Sequence, residues 1–210
     1  MRIRDGIDVE AVGMLEANCF LVTPPGSQFL YIIDPGAEPD TIIETAKKLK
    51  YVEAVMLFTH AHVDHISAAD DVVKALGIKK VFVHDGDQKL YHSPNNHLMP
   101  YVEAAKSVPE ATWPPAETGD FTWIHTPGHS QGGVCYYFQK LNALFCGDTI
   151  FRGSIGRTDF PGGDQATLIS SIKDHLFKLP DSVELFPGHG SSSSIGIEKA
   201  SNPYVSSAED

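Results

Sequence analysis

Four side chains that can bind a metal ion lie within six residues, at His60, His62, Asp64 and His65. His60 and His62 are two positions apart, so in an extended segment both imidazoles point to the same side and can hold one ion. Asp64 and His65 follow where the chain turns, and their side chains diverge, which favours a second ion beside the first. Without a cation, nothing would compensate the free-energy cost of removing these polar groups from water. The motif therefore predicts a site for a pair of metal ions.

Three further candidate ligands each follow an apolar, strand-like segment. They are His129 and His189, each in a Pro-Gly turn, and Asp148. A carboxylate can offer one oxygen to each of two cations, which suits Asp148 to a place between them. Asp34 also follows a strand-like segment, and it is either an acceptor for the metal loop or an ordinary acidic turn residue. The remaining histidines considered lack ligand-like spacing and are predicted to lie at the surface, at a cleft rim or in packing: His84, His92, His97 and His125.

The elements that must position these residues alternate between strands and helices. Residues 54–58 are uniformly apolar and predict a buried strand, and apolar positions recur at helical spacing over 66–76. The metal motif thus lies at the carboxyl end of a strand, where open α/β sheets bind their ligands. The other predicted strands are 18–22, 29–33, 80–84, 121–125, 134–138, 143–146 and 183–186, and the other predicted helices are 38–50 and 167–176.

Two connections between these elements can also be predicted. Strands 18–22 and 29–33 form a hairpin, whereas strands 54–58 and 80–84 are joined through a helix and should be parallel. Three segments are predicted to be irregular, and the first of them could wall a substrate cleft: 85–118, 151–164 and 191–194.

Composition predicts one globular domain over residues 1–210. Hydrophobic residues make up 42% of the chain and charged residues 20%, which allows one sizeable core. With 16 basic and 27 acidic residues the net charge is −11, which disfavours nucleic acid and anionic membrane surfaces as partners. The polar N-terminus and the absence of an apolar run near ~18 residues predict a cytoplasmic protein. Cys19, Cys135 and Cys146 lie in separate apolar runs and are predicted to be buried thiols.

The four ligand segments together resemble the metallo-β-lactamase fold family, whose pattern is His-x-His-x-Asp-His followed by a distant His, an Asp and a last His. The resemblance covers nearly the whole chain and implies the α/β class, as a four-layer αβ/βα sandwich with the metals at the upper edge of two sheets. Asp34 also matches an aspartate at a strand end that is common in the family. The implied ligand sets are His60, His62 and His129 for the first metal, Asp64, His65 and His189 for the second, and Asp148 as the bridge.

Within this family, the segments 126–129, 147–151 and 156–164 resemble short members of the glyoxalase II, or hydroxyacylglutathione hydrolase, group. This implies a thioesterase in which a metal-bridging hydroxide attacks a small-molecule thioester, with Asp64 and Asp148 as catalytic residues. Arg157 lies where longer members carry a lysine that holds the glutathione carboxylate, although it could equally be a loop arginine paired with an acidic neighbour. The chain ends soon after the last histidine, so we expect it to lack the C-terminal helical domain that contributes to glutathione binding.

Metal identity and reaction type leave alternatives. Five histidines and two carboxylates suit zinc, which we expect, and also iron or manganese. A persulfide dioxygenase, which keeps a single iron and shares a Gly-Arg-Thr-Asp-Phe segment, is the nearest alternative by resemblance. Its members usually lack the final Pro-Gly-His, so His189 favours two metals. A nuclease of this fold is disfavoured by the net charge.

Overall fold

The computed structural model describes residues 1–113 and 119–205 of the chain. Its strands are β1 (Arg2–Arg4), β2 (Ile7–Val12), β3 (Ala17–Val22), β4 (Phe29–Ile33), β5 (Glu53–Leu57), β6 (Lys80–Phe82), β7 (Thr122–His125), β8 (Val134–Phe138), β9 (Ala143–Gly147), β10 (Ile150–Phe151), β11 (Ser154–Ile155), β12 (Glu184–Pro187) and β13 (Ser193–Ser194). Its α-helices are α1 (Pro39–Lys48), α2 (Val63–Ile66), α3 (Ala69–Leu76), α4 (Gln88–Tyr91), α5 (Gln165–Asp174) and α6 (Ile195–Ser201). Within these residues, no helix has the length and apolar character needed to cross a membrane.

The first sheet runs in the order β1-β2-β3-β4-β5-β6. Strands β1 to β4 are antiparallel, whereas β4, β5 and β6 are parallel and connected through helices. The predicted hairpin is confirmed, because β3 pairs antiparallel with β4. The predicted parallel unit is also confirmed, because β5 pairs with β6 across the crossover that contains the metal motif. The motif therefore leaves this sheet at the carboxyl end of β5.

The second sheet runs in the order β13-β12-β9-β8-β7. Strands β9 and β12 are parallel, and the other neighbours are antiparallel. Because β9 and β12 point the same way, the residues that follow them leave the sheet at the same edge. Gly147 pairs with Pro187 there, which brings the next residues, Asp148 and the turn at 188–190, side by side.

Three apolar cores define four layers. Between the sheets, aromatic rings from both faces interlock, for example Phe20 and Phe145 with centroids 5.0 Å apart. The outer face of the first sheet packs on α1 and α3, and the outer face of the second packs on α5 and α6. Each sheet thus buries both faces, one against the other sheet and one against helices. This confirms the predicted α/β class and the αβ/βα sandwich.

The helix predicted over 66–76 is two helices in the structure. The hydroxyl of Ser67 donates to the carbonyl of Val63 at 2.7 Å, and the N–H of Ala68 donates to the carbonyl of Pro35 at 3.0 Å. The second bond diverts a backbone donor out of the helical ladder and separates α2 from α3. As a result Asp64 and His65 lie in the short helix α2 rather than in a loop.

All three segments predicted to be irregular contain regular structure, and the first of them, 85–118, includes helix α4. At the start of 151–164, β10 and β11 form a short hairpin whose turn includes Gly153 with a φ of 72°. The serine run at 191–194 contains β13 and the cap of α6, because Ser194 Oγ accepts a hydrogen bond from the N–H of Ile197. Strands β1 and β2 and helix α6 have no counterpart among the predicted elements. Residues 114–118 of the predicted cleft-wall segment lie outside the described residues.

Candidate metal centre

The candidate ligands gather where strand ends of the two sheets meet. The N–H of Val134 in β8 donates to the carbonyl of Thr59 at 2.8 Å, which ties the start of the metal motif to the second sheet. Asn18 in β3 makes the reciprocal connection, since its side-chain amide donates to the carbonyls of Pro187 and Gly190 at 3.0 Å each. The two sheets are therefore joined directly at the edge that carries the ligands. Asn18 is buried, and the sequence offered no motif that would have singled it out.

The structure brings the predicted ligands into two groups. Ligand atoms within each group lie within 4.8 Å of one another. We call His60, His62 and His129 the first ligand group, and Asp64, His65 and His189 the second ligand group.

Asp148 lies between these groups. Its Oδ2 is 3.7 Å from His129 Nε2 in the first group, and its Oδ1 is 3.5 Å from His65 Nε2 in the second. A glycine at position 188 makes this approach possible, because a Cβ there would lie 2.3 Å from Asp148 Oδ1. Oδ2 also lies 3.7 Å from His189 Nε2 in the second group, so the carboxylate is in reach of both groups.

The residues fit a pair of divalent cations. His60 Nε2, His65 Nε2 and Asp148 Oδ1 are buried polar atoms that have no hydrogen-bond partner among the described residues. Such atoms are costly to bury unless something binds them. In addition His62 Nδ1 and His129 Nε2 face each other at 2.9 Å, so either one is protonated or both lone pairs point at a cation. Imidazole and carboxylate ligands with open positions are typical of catalytic rather than structural metal sites.

The other ring nitrogen of several imidazoles is already fixed. His65 Nδ1 donates to Asp34 Oδ2 at 3.1 Å, His129 Nδ1 donates to the carbonyl of Arg157 at 2.7 Å, and His189 Nδ1 donates to the carbonyl of Leu15 at 2.9 Å. Each bond holds the proton on Nδ1 and leaves Nε2 free to bind a metal. Asp34 is predicted to be either an acceptor for the metal loop or an ordinary turn residue, and its hydrogen bond with His65 agrees with the first interpretation.

Electrostatics act in opposite directions on the individual candidate ligands. Burial, reinforced by His129, lowers the pKa of His62 to about 3. Burial also acts on His65, but the carboxylates of Asp64 and Asp148 outweigh it and raise its pKa to about 10. Burial would raise the pKa of Asp64, yet His65 and His189 hold it well below its usual range. A proton on His65 therefore balances the carboxylates, and it must leave when a metal binds.

Asp87 is a buried residue beside the candidate ligands that the sequence did not reveal. Its side chain is 1% exposed, and its carboxylate accepts hydrogen bonds from the N–H of Ala61 at 3.0 Å, the hydroxyl of Ser130 at 2.8 Å and the N–H of Gly132 at 2.6 Å. Burial raises the pKa of Asp87, against the effect of these bonds. The residue lies in the segment predicted to be irregular, where the only signal is an aspartate shortly after a strand. It connects the two loops of the first ligand group.

An open cavity of about 600 Å³ lies over the candidate ligands. The predicted cleft-wall segment forms part of it, through His97, Leu98, Met99 and Tyr101. Arg157 also lines the cavity, and its guanidinium is hydrogen-bonded to Asp159. The other residues that line the cavity are Leu15, His62, Asp64, His129, Asp148, Phe160 and His189.

The guanidinium of Arg157 is paired rather than free. It donates to Asp159 Oδ1 at 2.7 Å and to Asp159 Oδ2 at 2.6 Å, and it stacks 4.1 Å from the ring centroid of Phe160. The bidentate bond raises the pKa of Arg157 and lowers that of Asp159 to about 2. Of the two readings of this arginine, the structure shows the ion pair within the loop.

The remaining histidines and the cysteines belong to neither ligand group. His84 and His125 stack on each other with centroids 4.1 Å apart, and His125 Nε2 bonds the carbonyl of Gln131 at 3.0 Å. This agrees with the packing role predicted for His125. The three cysteines, Cys19, Cys135 and Cys146, are free and buried, as predicted.

Comparisons with known proteins agree with this geometry. The profile of the Metallo-beta-lactamase superfamily matches residues 12–189. Hydroxyacylglutathione hydrolase GloC from Haemophilus influenzae is 34% identical over 213 residues, which cover 96% of this chain and 98% of that protein. The crystal structure of BLEG-1 B3 metallo-beta-lactamase has a TM-score of 0.84 at 33% identity, covering 95% of this chain and 99% of its own. The crystal structure of TTHA1623 in a di-iron-bound form has a TM-score of 0.83 at 32% identity, covering 94% of this chain and 100% of that chain. The chain, with every candidate ligand inside the matched span, belongs to the metallo-beta-lactamase superfamily.

Proposed function

We propose that this protein is a metal-dependent thioester hydrolase of the hydroxyacylglutathione hydrolase type. The observation that carries the proposal is the convergence of two ligand groups on Asp148 at the floor of an open cavity. Similarity to hydroxyacylglutathione hydrolase GloC over nearly the full length of both chains supports a thioester as the bond that is cleaved.

The first ligand group would hold one cation and the second ligand group the other, with Asp148 between them. When bound, two divalent cations acidify a water and offset the negative charge that develops on a carbonyl oxygen. Zinc is the metal that we propose, and iron or manganese would suit the same ligands. The di-iron form of TTHA1623 is the reason to include iron in the test.

The protein's own side chains prepare the site for this reaction. Asp64 is held in its ionised form, so it can accept a hydrogen bond from the attacking water and orient it. Asp148 and His189 are the more exposed ligands, with side chains 14% and 26% exposed, which places the open side of the site toward the cavity. Ser130, beside a candidate ligand, donates its hydroxyl to a buried carboxylate, so nothing supports it as a nucleophile.

The decisive experiment combines metal content with substrate turnover. We expect the purified protein to hold about two divalent ions per chain and to hydrolyse S-lactoylglutathione or other small thioesters. The variant Asp148→Asn should lose both metal and activity, whereas Asp174→Asn, an exposed carboxylate on α5, should retain both. Activity retained by Asp148→Asn after loss of its metals would contradict the proposal.

The same assay separates the alternative activities. One iron per chain, with oxygen consumption and sulfite formed from glutathione persulfide, would identify the mono-iron dioxygenase alternative instead. Rapid hydrolysis of a cephalosporin in the absence of thioesterase activity would favour the activity that the name of BLEG-1 indicates.

We propose that the chain folds as one domain over 1–210, supported by the core shared between the two sheets. A small-molecule substrate rather than nucleic acid is supported by the net charge of −11. A cytoplasmic location is supported by three free, buried thiols, which suit a reducing compartment. Cell fractionation and limited proteolysis would test the location and the domain count.

A further inference from the structure

One side of the cavity is formed by apolar side chains. Leu98, Met99 and Tyr101, which we call the apolar wall, face the candidate ligands across it. The wall is an ordered turn, because the N–H of Leu98 donates to the carbonyl of Val102 at 2.8 Å and the N–H of Tyr101 donates back to Leu98 at 2.8 Å.

The apolar wall is fixed relative to the metal motif. The buried side-chain amide of Asn96, two residues before the wall, donates to the carbonyl of Ala61 at 2.7 Å. Ala61 lies between two candidate ligands. A group packed on the wall is therefore held at a defined distance from the reacting centre.

Two side chains of the apolar wall are largely exposed. Met99 is 60% exposed and Tyr101 is 59% exposed. A second cavity, of about 260 Å³, shares Tyr101 and Leu15 with the first and is lined by Met14, which is 71% exposed. Single exposed apolar residues are ordinary, but a cluster of them at the mouth of a cavity marks a binding surface.

Apart from bound cations, the cavity has little to offer an anionic group. Among the described residues that line it, Arg157 is the only lysine or arginine. The guanidinium of Arg157 already donates to both carboxylate oxygens of Asp159, so a substrate carboxylate would have to displace Asp159. The net charge of −11 also repels anions at longer range.

We propose that the substrate of this site carries an uncharged apolar group, an alkyl or aryl chain, that packs on the apolar wall. That the group belongs to a thioester rests on the function proposed above. The apolar recognition itself can be measured without any hydrolysis.

The test is calorimetric binding of four thioethers to the metal-loaded protein. These are the methyl and hexyl thioethers of glutathione and of the uncharged thiol N-acetylcysteamine, none of which can be hydrolysed as a thioester. Each buried methylene should strengthen binding by roughly fourfold. We therefore expect hexyl to bind at least about tenfold more tightly than methyl on either thiol, with glutathione gaining less than about twofold over N-acetylcysteamine.

Equal binding of hexyl and methyl compounds would overturn the proposal. A preference of about tenfold for glutathione would contradict the statement that the cavity has little to offer an anionic group. Tyr101→Ser should remove most of the advantage of the hexyl group. Tyr204→Ser is the matched control, because Tyr204 is 50% exposed and does not line the cavity. An unchanged hexyl advantage in Tyr101→Ser would also overturn the proposal.

A second variant tests the paired arginine. Asp159→Asn should release the guanidinium of Arg157 and strengthen binding of the glutathione thioethers by about fivefold, with no effect on the N-acetylcysteamine compounds. Unchanged glutathione binding would contradict the statement that Asp159 occupies this cation. If the hexyl compounds bind more tightly but no thioester is hydrolysed, the proposed function is wrong and the apolar recognition stands. If thioesters are hydrolysed but the hexyl compounds bind no more tightly, only the apolar recognition is wrong.

Discussion

The hydroxyl of Ser130 donates a 2.8 Å hydrogen bond to the carboxylate of Asp87, which also accepts the N–H groups of Ala61 and Gly132. Ala61 belongs to the loop of the metal motif, and the other two donors belong to the loop that carries His129. One buried carboxylate thus joins the two loops that position the first ligand group. The contacts of the second ligand group run through Asp34 and β3 instead.

Removal of this carboxylate should affect one metal more than the other. In Asp87→Ala, three buried donors lose their acceptor, and we expect the free energy of unfolding to fall by about 2–4 kcal/mol. Because the loops of the first ligand group lose their connection, metal content should fall from about two ions per chain to about one. Elemental analysis and denaturant titration would measure both effects.

A neighbouring aspartate provides the control for this prediction. Asp85 lies two residues earlier and is exposed, so Asp85→Ala should keep full metal content and stability. Equal loss of both metals in Asp87→Ala, or no loss, would contradict a selective role for Asp87 in the first ligand group.

The candidate ligands could be singled out because each one follows an apolar segment that is recognisable alone. The strand before His60 and the strand before Asp148 are buried on both faces, so their sequences are uniformly apolar and their ends are clear. Parallel pairing of β9 with β12 brings Asp148 beside the turn at 188–190. Strand β5 lies in the other sheet, so the grouping of the candidate ligands followed from the family resemblance and not from the local pattern alone.

Features that depend on a distant partner could not be predicted. The break between α2 and α3 needs the carbonyl of Pro35, and the role of Asp87 needs two loops that lie far away in sequence. The pairing of Arg157 with Asp159 is local, yet the sequence allowed either this pair or a substrate contact. The N-terminal strands β1 and β2 have polar, partly exposed positions that carry no strong period.

Metal removal should destabilise the protein. Without a cation, buried atoms such as His60 Nε2 and Asp148 Oδ1 have no partner, and binding energy is available only to the folded state. We expect a strong chelator to lower the Tm by about 10 °C and added zinc to restore it. The variant Asp148→Asn should start from a lower Tm and respond less to the chelator. An unchanged Tm in the natural protein would show that the site holds no tightly bound metal.

Thiol reactivity offers a pH-dependent test of the buried core. Burial raises the pKa of Cys135 to about 11, and it raises the pKa of Cys19 and Cys146 well above the usual value. At pH 9 roughly one in a hundred Cys135 thiols is therefore ionised, whereas more than half of ordinary thiols with a pKa of about 8.5 are. We expect a colourless thiol-specific disulfide reagent to release almost no chromophore from the native protein between pH 7 and pH 9. Denaturant should then release three equivalents, one for each cysteine, and rapid reaction in the native state would contradict this burial.

The close approach of Gly188 to Asp148 gives the sharpest steric prediction. A Cβ at position 188 would lie 2.3 Å from Asp148 Oδ1 and 2.7 Å from His65 Cε1, closer than real atoms pack. Gly188→Ala should therefore push both ligands apart and abolish binding of at least one metal ion while leaving the secondary structure unchanged. Gly119→Ala is the matched control, because a Cβ there meets no atom of the described residues within 4 Å. Metal analysis with circular dichroism would measure the outcome, and a Gly188→Ala protein with full metal content would contradict the placement of Asp148 between the two ligand groups.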